Sequence, residues 1–65
     1  MKICVNGAWR DTDASDLASA LRDLGYGDSV VATALNSEFV PTASRSTARL
    51  TDGDHLEVLA PMQGG

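Results

Sequence analysis

The stretch that most restricts the fold of this chain is "KICVNGAWRDT", at residues 2–12. Asn6-Gly7 lies there between two short runs that are apolar or β-branched. A two-residue type I′ turn needs positive φ at both central positions, and asparagine followed by glycine meets this need best. We therefore predict a β-hairpin with strands at Lys2–Val5 and Ala8–Thr12.

The segment after the hairpin predicts a helix. Apolar residues recur there at the spacing of one helix face: Leu17, Ala20, Leu21 and Leu24. Ser15 or Asp16 can cap the first turn, because a short polar side chain accepts a hydrogen bond from a free backbone N–H. Gly25 stands where a glycine commonly ends a helix.

Further strands are predicted in the second half of the chain. Residues 29–35, "SVVATAL", are rich in β-branched side chains and indicate a strand. Asn36-Ser37 is a turn candidate, and "EFV" predicts a short strand that Pro41 ends. Residues 42–49 are small and polar, which favours a loop with at most one helical turn.

The last predicted strand is "HLEVLA", at residues 55–60, after a turn at Asp52-Gly53-Asp54. Its residues alternate between two faces, with Leu56, Val58 and Ala60 on one and His55, Glu57 and Leu59 on the other.

One main helix and four or five strands in 65 residues predict an α+β fold in which the helix packs on one face of a mixed sheet. Placing the last strand beside the first gives a β-grasp, or ubiquitin-like, arrangement. We expect one domain over residues 1–60 and a flexible C-terminal tail over residues 61–65.

Charge and cysteine content exclude several classes of function. A net charge of −4 argues against a nucleic-acid binder and against attraction to anionic membranes. Cys4 is the one cysteine, so no internal disulfide is possible, which favours a reducing, cytoplasmic setting. We expect Cys4 to be a small buried hydrophobe, with a thiol relay as the alternative. His55 has no partner at metal-ligand spacing, so we expect a surface residue and no metal site.

The C-terminal "APMQGG" ends in two glycines, which lose the most backbone freedom on ordering. The pair is therefore either a frayed end or a bare tail that another protein handles. Three stretches resemble the ThiS family of ubiquitin-like sulfur carriers: "CVNG" at 4–7, "VATALNSEFVP" at 31–41 and "LTDGDHLEVLAPMQGG" at 50–65. The resemblance covers essentially the whole chain, although Thr33 stands where that family usually has a larger aliphatic residue.

The resemblance implies a cycle of sulfur transfer. A ThiF-like adenylyltransferase uses ATP and magnesium to adenylate the carboxylate of Gly65. A persulfide derived from cysteine through a desulfurase converts the adenylate to a thiocarboxylate, and thiazole synthase takes the sulfur for thiamine biosynthesis. The chain is then a protein cosubstrate that is not an enzyme, has no catalytic residues and binds no cofactor itself.

The same resemblance places the functional residues at the C-terminal end. Gly64, Gln63 and Met62 are expected to be recognised as part of the tail. Leu59, on the strand face opposite Leu56, is the leading candidate for an exposed docking residue. Trp9 is a further docking candidate, whereas Phe39 is expected in the core.

Other interpretations stay open at this point. One is a carrier that serves another pathway, as the small subunit of molybdopterin synthase does, and another is a stand-alone interaction domain without tail chemistry. Asp28-Ser29-Val30 also invites comparison with acyl carrier proteins, which bear a prosthetic arm on serine. Arg45 and Arg49 are expected to pair with acids on a partner or to be solvated.

Overall fold

The computed structural model describes residues 1–27 and 29–60. Within them, five strands form one sheet in the order β2-β1-β5-β3-β4. Their bounds are β1 Lys2–Val5, β2 Ala8–Asp11, β3 Ala32–Leu35, β4 Glu38–Val40 and β5 His55–Leu59. The central pair β1 and β5 is parallel, and the other neighbouring pairs are antiparallel. The first and last strands therefore lie side by side in a mixed sheet, as predicted.

Two of the three predicted turns join antiparallel strands. Asn6 and Gly7 have φ of 50° and 85°, and Asn36 and Ser37 have φ of 50° and 71°. Positive φ at both central residues is the geometry of a type I′ turn, whose twist matches that of the flanking strands. The first hairpin is confirmed, with β2 ending at Asp11, one residue earlier than predicted.

The predicted helix is α1, Leu17–Asp23, and its cap is Asp16. The Asp16 carboxylate accepts hydrogen bonds from the backbone N–H of Ser19 at 2.9 Å and from its hydroxyl at 2.8 Å. These bonds favour the ionised form, so the pKa of Asp16 lies below its ordinary value. Gly25 follows the helix with φ of 95°, a conformation that suits glycine.

The helix packs against one face of the sheet and closes a single apolar core. The core side chains are Ile3, Val5, Leu17, Ala20, Leu21, Val40, Leu50, Leu56 and Val58. Thr33 is also buried, and its hydroxyl donates to the carbonyl of Val40 at 2.8 Å. A hydrogen bond of this kind offsets most of the cost of burying a hydroxyl, which explains how threonine is accommodated at this position.

Arg45 differs from both sequence-based interpretations. It follows a 3₁₀ turn at Thr42–Ser44. This turn is the single helical turn predicted within residues 42–49. The guanidinium of Arg45 is partly buried and donates to the hydroxyl of Thr33 at 3.2 Å and to the carbonyl of Val31 at 2.6 Å. Arg45 therefore ties the loop to the start of β3.

The prediction of a strand over residues 29–35 was wrong at its N-terminal end, because β3 begins at Ala32. Ala32 is paired with Leu59, the last residue of β5. The carbonyl of Val31 is directed at Arg45 instead of a neighbouring strand. The β-branched residues before Ala32 thus lie beyond the edge of the ladder.

The predicted tail over residues 61–65 lies outside the described residues. Among residues 1–27 and 29–60, no helix has the length and apolar character needed to cross a bilayer.

Candidate functional site

The face of the sheet opposite α1 is uncovered in the described part of the chain, and we call it the open face. The alternation of β5 defines it: Leu56 and Val58 are buried under the helix, whereas His55, Glu57 and Leu59 are exposed. This confirms the predicted assignment for these five residues. Ala60 was predicted to face inward with Leu56 and Val58. It is exposed instead, because it lies past the end of β5.

Leu59 lies at the end of the open face from which the chain continues toward the tail. Leu59 is 63% exposed and pairs with Ala32 of β3. A shallow apolar depression there is lined by Val30, Val31, Ala32, Leu59 and Ala60. Leu59 is thus exposed as predicted. The other predicted site residues, Met62, Gln63, Gly64 and Gly65, lie outside the described residues.

Phe39 belongs to the open face, and the expectation that it lies in the core was wrong. It is 70% exposed and is paired with Ala34. Its neighbour Val40 is buried in the core, opposite Thr33. Because successive residues of a strand point to opposite faces, burial of Val40 directs Phe39 outward.

A second group of side chains lies toward the other edge of the open face. Cys4 of β1 is paired with Trp9 on one side and with His55 on the other. The Trp9 ring is 56% exposed and meets the His55 ring edge-on, with 5.6 Å between ring centroids. Cys4 is buried in this row, as predicted.

The charge at the centre of the open face is acidic. Glu57 is exposed on β5 between His55 and Leu59 and is paired with Ala34. Apolar residues with a carboxylate among them complement a partner surface that combines apolar and basic groups. In the described part of the chain, no cluster of three or more acidic, histidine or cysteine side chains could hold a metal ion.

Comparison with known proteins identifies the family. A model of the ThiS family matches residues 3–65, which is nearly the whole chain and includes the Gly-Gly end. The chain belongs to the ThiS family. Its five-stranded mixed sheet with one helix packed on one face is the β-grasp fold.

Solved structures of similar proteins share the fold. The crystal structure of a thiamine biosynthesis protein (ThiS) from Geobacter metallireducens is 28% identical, covers 100% of both chains and superposes with a TM-score of 0.84. A solution structure of a thiamine biosynthesis protein from the same organism is also 28% identical, with a TM-score of 0.78 over 100% of this chain and 88% of that one. The acyl-carrier interpretation was therefore wrong, since that class is a helical bundle.

A curated relative is much longer than this ThiS-family chain. A thiazole synthase of Paramagnetospirillum magneticum is 39% identical over 66 residues, a match that covers 100% of this chain. The chain spans only 20% of the length of that relative.

Proposed function

We propose that this chain carries sulfur as a thiocarboxylate on Gly65 and delivers it to thiazole synthase. The observation that supports this most is the family match, because it extends through the glycine pair to residue 65. The described structure adds that β5 leads from the centre of the sheet to Ala60, five residues before Gly65.

The chemistry of a carboxylate explains why a partner enzyme is needed. An α-carboxyl group has a pKa of roughly 3.5 and is ionised at neutral pH, which makes it a poor electrophile. In the proposed cycle a carboxylate oxygen of Gly65 attacks the α-phosphorus of ATP, and pyrophosphate leaves. ATP and magnesium are bound by the ThiF-like partner, so this chain contributes only the nucleophile.

Sulfur enters in the second step. The terminal sulfur of a persulfide, formed by a cysteine desulfurase, attacks the acyl carbon and AMP leaves. A thiol then reduces the resulting acyl disulfide, so that the sulfur–sulfur bond breaks and the thiocarboxylate is released. When that sulfur bonds to the acceptor, the bond between sulfur and the acyl carbon breaks, and an oxygen from water or from the acceptor takes its place, which returns the carboxylate of Gly65.

The composition of the tail suits entry into a narrow active site. Gly64 and Gly65 have no Cβ atoms, so they can pass a constriction and adopt backbone angles closed to other residues. Five extended residues span about 16 Å. Residues 61–65 can therefore carry the carboxylate well away from the folded body, with Met62 and Gln63 available for recognition.

Thiazole synthase is the proposed acceptor. The relative from Paramagnetospirillum magneticum bears that name, and a region similar to this whole chain makes up 20% of it. A carrier-like region therefore occurs there in one polypeptide with a much larger remainder. This supports a direct encounter between carrier and synthase, and it favours thiamine biosynthesis over a molybdopterin pathway.

We propose that the activating enzyme docks on the open face around Leu59, next to the tail. Leu59→Asp is expected to raise the dissociation constant of that complex at least about tenfold, because a central apolar contact is replaced by a charge that loses its hydration on binding. Titration calorimetry measures this. Ala43→Asp is the matched control, since Ala43 is exposed in the 3₁₀ turn, outside the open face, and the change in charge is the same.

One outcome would contradict this docking site, and circular dichroism controls for loss of the fold. Equal affinities of Leu59→Asp and the wild-type protein would remove Leu59 from it. A circular dichroism spectrum like that of the wild-type protein is expected for both variants, because neither side chain is buried.

The activation step is tested by ATP–pyrophosphate exchange. We expect the ThiF-like enzyme to exchange labelled pyrophosphate into ATP only when this chain is present. Exchange that is independent of the chain would contradict its role as the substrate that is adenylated.

A further inference from the structure

The side chain of Asn6 hydrogen-bonds to both backbone groups of Val58. Its amide nitrogen donates to the carbonyl of Val58 at 3.1 Å, and its amide oxygen accepts from the N–H of Val58 at 2.9 Å. Asn6 is the first central residue of the type I′ turn, so one residue both turns the hairpin and bonds to β5.

The register of the sheet shows what this contact replaces. The ladder between β1 and β5 ends where Val5 is opposite Leu56, and the backbone N–H of Asn6 then donates to the carbonyl of Leu56 at 2.9 Å. The hairpin turns away at this point, while β5 continues to Leu59. Asn6 therefore extends the pairing of β5 by one further step on the side from which β1 has departed.

Among residues 1–27 and 29–60, the part of β5 beyond Asn6 is paired only on the side of β3, where Leu59 lies opposite Ala32. Ala32 is the first residue of β3. In the described part of the chain, the end of β5 is thus held by its pairing with β3 and by the side chain of Asn6. That end bears Leu59, the proposed docking residue, and leads to the tail.

We propose that Asn6 is a positioning residue, which fixes the end of β5 so that the docked carrier directs its tail into the active site of the activating enzyme. This inference rests on the function proposed above. Five residues reach about 16 Å at most, so the point at which the tail leaves β5 limits where the carboxylate can lie. A shift at the root of the tail therefore reaches the carboxylate, and a misplacement of about 1 Å can lower a catalysed rate on the order of 100-fold.

Asparagine meets both requirements of this position. It tolerates a φ of 50° better than most residues other than glycine. Its amide also presents a donor and an acceptor side by side, as a backbone peptide group does. Glycine would keep the turn and lose the contact with Val58.

Asn36 provides a control within the same fold. It also has a φ of 50° in a type I′ turn, and its side chain also makes two hydrogen bonds. Its amide oxygen accepts from the N–H of His55 at 2.9 Å, and its nitrogen donates to the carboxylate of Asp54 at 3.0 Å. These contacts hold the start of β5, at the end away from the tail.

The experiment compares Asn6→Gly with Asn36→Gly. For Asn6→Gly we expect kcat of adenylation to fall about tenfold or more, with a smaller change in the KM for the carrier. For Asn36→Gly we expect kcat to stay within about twofold of the wild type, because the root of the tail is still held. Amide hydrogen exchange should accelerate at Val58 in the first variant and at His55 in the second.

The outcomes separate positioning from stability and from the proposed function itself. Similar losses of kcat in both variants would show that the effect follows stability, and would overturn the positioning role. Unchanged exchange at Val58 in Asn6→Gly would overturn it as well. If the wild-type chain is not adenylated, the proposed function fails, whereas faster exchange at Val58 in Asn6→Gly still supports the hold of Asn6 on β5.

Discussion

Replacing Leu21 with alanine is expected to remove a large part of the stability of this protein. Leu21 is 4% exposed and packs from α1 into the core. Truncation of a buried leucine costs about 2–5 kcal/mol, because transfer energy is lost and a cavity is left. A 65-residue domain has about 6 kcal/mol in total if each residue contributes ~0.1 kcal/mol. Denaturant unfolding monitored by circular dichroism measures the loss.

Arg22→Ala is the matched control for Leu21→Ala. Arg22 is the next residue of the same helix, and its side chain is exposed. Surface substitutions usually change stability by no more than about 0.5 kcal/mol. A loss for Leu21→Ala as small as that of Arg22→Ala would show that this face of α1 does not form the core.

Deleting Gly65 is expected to abolish most of the activation while the fold is kept. The shortened chain still ends in a carboxylate, but that group lies about 3.5 Å short of its target. Since about 1 Å of misplacement can cost on the order of 100-fold, ATP–pyrophosphate exchange should fall by at least that factor. Gly64→Ala should also lower the rate of exchange, because the added Cβ takes up space where the tail enters the narrow active site of the activating enzyme.

The melting temperature is the control for the deletion, and we expect it to be unchanged. The core residues all lie between Ile3 and Val58. Exchange at the normal rate by the protein without Gly65 would contradict the carrier mechanism. The chain would then be better described as an interaction domain without tail chemistry.

Local signals were sufficient for the elements that local chemistry determines. Asn6-Gly7 predicted the first hairpin because few dipeptides accept positive φ twice. Asp16 and Gly25 predicted the two ends of α1, because helix capping depends on residues within one turn of the end. The alternation of β5 placed Leu59 on the exposed face, since adjacent strand residues point in opposite directions.

Long-range pairing determined the features that the sequence did not predict. Phe39 is exposed because Val40 is the residue of β4 that faces the core, and a three-residue strand does not show which face is buried. β3 begins at Ala32 because its partner β5 ends at Leu59. The contacts of Arg45 with Val31 and Thr33 likewise join residues that are distant in the chain.

The candidate site was predicted from the sequence only in part. Leu59 was found by strand alternation, and the roles of Met62, Gln63, Gly64 and Gly65 stay predictions. The contact of Asn6 with Val58 was missed, because the turn signal alone accounted for asparagine at this position. The sequence has asparagine as the first central residue of both turns, Asn6 and Asn36. Both side chains accept a hydrogen bond from a backbone N–H of β5.

The most direct test of the account is the intact mass of this protein after incubation with its ThiF-like activating enzyme, ATP, magnesium and a persulfide donor. We predict the exchange of one oxygen for one sulfur, which fragmentation localises to Gly65. The modification should disappear when thiazole synthase and its other substrates are added. An unchanged mass with an active enzyme and donor, or a modification at any other residue, would contradict the proposal that Gly65 carries the sulfur.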